Sequence, residues 1–63
     1  MLKKNNLKDF REKKGISQEK LALMAEVTRQ TIISIEGSRY VPSLGLALRL
    51  SKIFNCKVED LFG

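Results

Sequence analysis

The sequence predicts an all-α fold, a compact five-helix bundle that forms a single domain over residues 1–63. Strand signals are almost absent, since the one β-branched run, Thr31-Ile32-Ile33, lies inside a helical pattern. Capping and stop residues divide the chain into helix-length segments. With 63 residues, 43% of them hydrophobic, the chain is not a disordered tail, but it buries little surface and must fold compactly.

The first two helices are recognised by the residues at their ends. Asn6 is a candidate N-cap for a first helix that finishes in the basic turn and stop of Lys14-Gly15. Ser17 is the N-cap expected for a second helix, Gln18 to about Ala25. The apolar residues of each segment recur at helical spacing, so each helix has one face for a core.

A third short helix follows almost directly. Thr28 caps it, and it runs from Arg29 to Glu36 before Gly37 ends it. The intervening Glu26-Val27 is a tight turn, too short for the second and third helices to pack antiparallel. Residues 17–36 therefore predict a helix-turn-helix, whose second helix projects into a DNA major groove ~12 Å wide.

The last third of the chain contains a loop and two further helices. Residues 37–42 form the loop, and Ser43 caps the longest helix, Leu44 to about Phe54. Asn55 is suited to a left-handed turn at the end of that helix. One final helical turn covers Val58 to Phe62.

Composition limits the function. The single cysteine, Cys56, and the absence of histidine exclude an intramolecular disulfide, a His-based zinc site and a catalytic triad. No nucleophile is paired with a base and no glycine-rich phosphate loop occurs, so we expect no enzyme, metal or cofactor, and no evident small-molecule ligand. No apolar run approaches the ~20 residues of a membrane span, and the protein is expected to be cytoplasmic.

The charge is unevenly distributed. Twelve Lys and Arg against seven Asp and Glu give a net charge of +5. Residues 1–20 carry most of the excess, with seven positive side chains, Lys3 and Lys4 among them, against three negative ones. This excess indicates either an ordinary solvated face or an edge that faces the phosphates of a nucleic acid, and charge alone leaves both open.

Several segments, in order and at matching spacing, resemble the Cro and phage-repressor-like helix-turn-helix transcriptional regulators. The resemblance covers nearly the whole chain: residues 7–15, 17–22, 27–32, 35–37, 42–44, 47–48 and 59–62. It implies a lambda-repressor-like DNA-binding domain of five helices. Members bind operator DNA, usually as a two-fold dimer on a palindromic site, to repress or activate transcription, and we expect a repressor.

The resemblance places base contacts at the start of the third helix, at Arg29 and Gln30, with Ser34 one turn later. The chemistry agrees, since Arg binds guanine O6 and N7 with two hydrogen bonds and Gln does the same for adenine N6 and N7. The structural alternative is that all three are ordinary solvated residues of a short helix.

The resemblance also implies contacts to the DNA backbone, and these contacts position the protein without reading sequence. The residues expected to make them are Gln18, Thr28, Thr31, Ser38 and Arg39. The helix N-terminus at Gln18 favours an anion in any case. Gln18 could instead only cap its helix, and Arg39 could only keep the loop solvated. Thr31 could contact a thymine methyl instead of a phosphate.

Two further expectations come from the same resemblance. Arg11 and Glu36 match an ion pair that ties the first helix to the end of the third, a structural role. Glu26 stands where the family very often has glycine in a left-handed conformation, which costs other residues ~1–2 kcal/mol.

A dimer requires a self-complementary surface, for which the apolar candidates are Val41, Leu44, Leu61 and Phe62. These residues could instead merely close the core. The alternative function is an antitoxin or accessory protein-interaction module on the same fold. That alternative calls for an additional segment to wrap a partner, and we expect none beyond residues 1–63.

Overall fold

A computed structural model describes residues 5–63, and in that range it contains five α-helices and no strand. The helices are α1 (Leu7–Lys14), α2 (Gln18–Ala25), α3 (Arg29–Glu36), α4 (Leu44–Ile53) and α5 (Val58–Phe62). The predicted all-α fold of five helices is thus confirmed, with α4 ending one residue earlier than expected. Asn55 has the left-handed conformation predicted for it, with φ 51°. Lys3 and Lys4 lie outside the described residues.

Every helix contributes at least one fully buried side chain to a shared core. These side chains are Leu7, Leu21, Ile32, Ile35, Leu50 and Leu61. Each described helix has ten residues or fewer, whereas isolated helices shorter than ~12–15 residues are marginal in water. The helices therefore depend on the common core. None of the helices in this range combines the length and hydropathy that a membrane span requires.

The packing places α2 at the centre of the site-bearing half of the molecule. It packs on α3 on one side and on α4 on the other, while α1 contacts α3 and α5. The orientation of α3 is consequently set by α2 and α1.

Three of the four predicted side-chain caps are present. The hydroxyl oxygens of Ser17, Thr28 and Ser43 accept hydrogen bonds from the backbone N–H three residues further on, at 3.0, 3.2 and 3.2 Å. Each bond satisfies one of the four N–H groups that the first turn of a helix leaves without a partner.

The fourth prediction, that the Asn6 side chain caps α1, is wrong. Asn6 has φ −105° and ψ 13° and makes no capping bond. Its backbone N–H instead donates to the Leu61 carbonyl at 2.8 Å, and its side chain also bonds to α5. Asn5 takes over the cap, because its Oδ1 accepts from the N–H of Leu7 at 3.0 Å. The Asn5 Nδ2 donates to the Ile35 carbonyl at 2.7 Å, which joins α1 to α3.

The turn between α2 and α3 has the left-handed residue that the family pattern implies. Glu26 has φ 60° and ψ 41°, and the N–H of Val27 donates to the Ala22 carbonyl at 3.0 Å. A contact that the sequence analysis did not foresee holds the same turn. Arg49 of α4 donates from Nη1 to the carbonyl of Ala25 at 2.7 Å, which places a cation at the negative end of α2.

We expect Glu26→Gly to stabilise the protein. Glycine removes ~1–2 kcal/mol of left-handed strain but adds ~0.4–1 kcal/mol of chain entropy to the unfolded state, a net gain of about 0.5–1 kcal/mol. The free energy of unfolding, measured by urea denaturation with circular dichroism, should rise by that amount.

Gly15→Ala is the matched control. Gly15 occupies the equivalent place after α1, with φ 75°, and an added Cβ there would meet no atom within 4 Å. Only backbone strain changes, so alanine should lower the free energy of unfolding by about 1 kcal/mol. Shifts in the same direction for the two variants would contradict the assignment of strain to Glu26.

Candidate nucleic-acid interface

The exposed face of α3 carries polar side chains at its leading end. Arg29 and Gln30 are exposed, whereas Ile32 and Ile35 are fully buried and fasten the opposite face to the core. Ser34 is half-buried, and the Gln30 Nε2 donates to its Oγ at 3.4 Å. The candidate base-reading residues Gln30 and Ser34 therefore lie side by side on one face.

The first turn of α3 also holds two threonine hydroxyls. Thr28 is exposed and Thr31 is half-buried, and their Oγ1 atoms are hydrogen-bonded at 3.0 Å. Thr28 and Thr31 line a shallow depression, named here the polar depression, together with Gln30, Ser34, Arg39 and Tyr40. An ion or a polar ligand in this depression would meet hydroxyl, amide and guanidinium groups.

Gln18 lies at the start of α2, near Arg29 but outside the polar depression. Its side chain is half-buried, and its Nε2 donates to Glu36 Oε1 at 3.2 Å. Gln18, Arg29 and Ser17 border a second polar surface with Arg11 and Glu19. The N-terminus of α2 faces this surface, and its free N–H groups favour an anion there.

A buried ion pair connects these elements. Arg11 Nε donates to Glu36 Oε2 at 2.6 Å and Arg11 Nη2 to Oε1 at 3.3 Å. The side chains are only 11% and 6% exposed. The hydrogen bond to Glu36 raises the pKa of Arg11 above its usual value, although burial opposes the effect. Arg11 Nη1 also donates to the Ile16 carbonyl at 3.0 Å, so one guanidinium joins α1, the approach to α2 and the end of α3.

The loop after α3 turns at Ser38 rather than at Gly37. Gly37 has φ −82°, while Ser38 has φ 59° and is the left-handed residue. The N–H of Arg39 then donates to the Ser34 carbonyl at 2.9 Å, which returns the chain to α3. Space at 37 is tight, because a Cβ there would lie 3.3 Å from the Ile33 carbonyl oxygen and 3.4 Å from Arg39 Nη2.

Tyr40 is a residue of this surface that the sequence analysis missed. The residue is 47% exposed and lines the polar depression beside Arg39. The only sequence signal for it was an aromatic residue next to an arginine in a loop bounded by glycine and proline.

The candidate dimer residues do not all lie on the surface. Val41 and Leu44 are 64% and 72% exposed, and Phe62 is half-buried. They line an apolar groove with Asn5, Ser38, Tyr40, Pro42, Ala47 and Val58. Leu61 is a correction: it is 0% exposed, because α5 directs it into the core, and it cannot contact a second subunit in this conformation.

Cys56 lies away from these surfaces, after α4. It is a free, half-buried thiol. Burial raises its pKa, and the negative charge of Asp60 raises it further. The thiol is therefore protonated near neutral pH, where thiolate chemistry is slow.

Comparison with known proteins identifies the fold and its relatives. The model of a protein family described as Helix-turn-helix matches residues 7–61 of this chain. YgzD of Bacillus subtilis, named an uncharacterized HTH-type transcriptional regulator, is 52% identical over 59 residues, which cover 94% of this chain and 89% of YgzD. An HTH-type transcriptional regulator of Methanocaldococcus jannaschii is 49% identical over 59 residues, again 94% of this chain and 89% of the relative.

A solved structure is similar over most of its length. The restriction-modification controller protein C.AhdI from Aeromonas hydrophila superposes with a TM-score of 0.82 and 30% sequence identity. The superposition covers 90% of this chain and 86% of C.AhdI.

We expect Arg11→Met to destabilise the protein severely. The substitution leaves the Glu36 carboxylate, 6% exposed, without its cation, at a cost of ~3–5 kcal/mol. A loss of that size is a large part of the stability of a small domain. Thermal and urea unfolding followed by circular dichroism measure it.

The double variant Arg11→Met, Glu36→Leu is the control. Replacing both charges removes the uncompensated carboxylate, so most of the lost stability should return. If the double variant were as unstable as Arg11→Met, the loss would stem from packing and not from a buried charge.

Proposed function

Since the chain belongs to the helix-turn-helix family of transcriptional regulators, we propose that it is a sequence-specific regulator that binds double-stranded DNA by inserting α3 into the major groove. The observation that carries this proposal is the two-sided character of α3. Its leading polar side chains, Arg29 and Gln30, are exposed, while Ile32 and Ile35 anchor the helix to the core. A helix held in this way has a fixed orientation, so its exposed side chains can contact the edges of the DNA bases.

Arg29, Gln30 and Ser34 are the proposed base-reading residues. A guanidinium reads guanine through O6 and N7, a carboxamide reads adenine through N6 and N7, and a hydroxyl bonds to either. The 3.4 Å contact between Gln30 and Ser34 supports a joint role, because Ser34 limits the directions that the Gln30 amide can take. Each good bidentate contact contributes ~1–3 kcal/mol of discrimination.

The flanking groups are proposed to bind phosphates. They are Gln18 at the start of α2, Thr28 and Thr31 at the first turn of α3, and Ser38 and Arg39 in the loop after α3. The Gln18 side chain is engaged with Glu36, so we assign the phosphate contact at this position chiefly to the N-terminus of α2. The net charge of +5 favours a polyanionic ligand, and a DNA ligand accords with the cytoplasmic location expected from the sequence.

A homodimer on a palindromic operator completes the proposal. One recognition helix contacts only a few base pairs, so useful specificity calls for two half-sites one turn apart, ~34 Å. We assign the apolar groove to a second copy of the chain, with Val41, Leu44 and Phe62 as contacts. A minimal specific interface buries ~600 Å² per partner, about one seventh of the 4326 Å² surface of the described residues. Repression then follows if the bound dimer occupies DNA that other proteins need.

Arg29→Ala and Gln30→Ala should lose sequence discrimination while keeping their helical content. Duplexes selected from a random pool by the wild-type protein provide the operator, and a palindromic product is expected. Each variant should bind that operator ~5- to 150-fold more weakly, and its affinity should approach that for an unrelated duplex. Lys52→Ala, at an exposed position of α4, is the control and should retain the preference.

The salt dependence of the binding affinity distinguishes a DNA ligand from a protein partner. Wild-type affinity for the operator should fall steeply as the salt concentration increases. The reason is that Lys and Arg side chains of the protein displace counterions from the DNA phosphates when they bind. A flat salt response, or failure to enrich any duplex, would favour the protein-interaction alternative.

Leu44→Glu should weaken self-association at least tenfold, because a carboxylate would have to be desolvated in the subunit contact. Leu23→Glu is the matched control, since Leu23 is 71% exposed, compared with 72% for Leu44, but lies on α2 outside the groove. Sedimentation equilibrium at micromolar concentration measures the effect. Equal behaviour of the two variants would remove the groove from the proposed interface.

A further inference from the structure

We propose that Tyr40 is an additional DNA-binding residue, whose hydroxyl donates a hydrogen bond to a backbone phosphate while its ring is held against the apolar groove. The inference rests on the proposed function, since it requires DNA at α3. It adds a residue that neither the sequence pattern nor the comparisons assign.

The path of the loop brings Tyr40 to the recognition helix. Ser38 adopts a left-handed conformation, φ 59°, at the end of α3. The bond from the N–H of Arg39 to the Ser34 carbonyl, 2.9 Å, then folds the loop back along the helix. As a result Tyr40 borders the polar depression with Gln30 and Ser34, although it lies ten residues after Gln30 in sequence.

Tyr40 also belongs to the apolar groove. It lines that groove beside Val41 and Leu44, and among the described residues it is the one that borders both the groove and the polar depression. The residue therefore lies at the boundary between the two surfaces, and 47% of it stays exposed. A second subunit in the groove would restrain the ring further.

The chemistry of tyrosine matches this boundary. Its ring is apolar and therefore suited to the groove, whereas its hydroxyl is a hydrogen-bond donor that can bind water or a phosphate oxygen. The side chain has two rotatable torsions, so little conformational entropy is lost when it binds. A hydroxyl, unlike a lysine or arginine side chain, is not a cation, so a contact to phosphate through it releases no counterion from DNA.

Tyr40→Phe tests the proposal, since it removes the hydroxyl and keeps the ring. Affinity for a half-site duplex derived from the selected operator is measured by fluorescence anisotropy over a range of salt, and self-association by sedimentation. We expect affinity to fall ~3- to 10-fold, equally for operator and unrelated duplexes, with an unchanged salt slope and unchanged self-association.

Two further variants make the readout specific. Arg39→Ala should weaken binding and also lower the salt slope by about one, because it removes a charged phosphate contact. Val41→Ala, in the groove but outside the polar depression, should weaken self-association and leave half-site affinity unchanged.

The outcomes divide cleanly. Wild-type half-site affinity in Tyr40→Phe would overturn the hydroxyl contact, and so would a loss confined to self-association, as in Val41→Ala. A loss restricted to the operator sequence would replace the phosphate contact by base reading and also contradict the proposal. If the wild-type protein itself bound no duplex, the proposed function would fail, and this inference with it.

Discussion

The orientation of α3 depends on the buried pair between Arg11 and Glu36. An eight-residue helix has no stability of its own, so its direction has to come from contacts at its ends and along its buried face. Arg11 binds the last residue of α3 through Nε, at 2.6 Å, and the Ile16 carbonyl through Nη1, at 3.0 Å. Buried pairs add little net stability over apolar packing. The planar guanidinium instead donates its hydrogen bonds in a fixed geometry, and that geometry aligns three segments.

Backbone strain on the two sides of α3 also helps to fix the orientation of this helix. Glu26 before the helix and Ser38 after it are left-handed without being glycine, with φ 60° and 59°. Such strained conformations persist where surrounding contacts hold them. Here Arg49 binds the carbonyl of Ala25, the residue that precedes Glu26. The strained positions determine where the chain enters and leaves the helix. They thereby determine which side chains stand beside Arg29 and Gln30.

The surface of this small domain includes a polar face around α3 and, next to it, an apolar face formed by the groove. The proposed DNA contacts lie on α3, at the start of α2 and in the loop after α3. The proposed subunit contacts lie at the end of that loop, on α4 and on α5. The loop that contains Ser38 and Tyr40 joins the two faces. Dimer formation and DNA binding in this proposal therefore share a boundary, because the residues that end the recognition helix also begin the groove.

The sequence by itself determined the helices, their bounds to within a residue, and the caps at Ser17 and Thr28, because these are local interactions within a few residues. The family resemblance also indicated that Arg29 and Gln30, at the start of α3, face outward. Only the tertiary structure decided that Asn5 caps α1, that Arg49 holds the turn and that Tyr40 meets the recognition face. Asn5 and Arg49 bond to groups 30 and 24 residues away, and such distant contacts leave no periodic trace in the sequence, since they arise only when the helices pack.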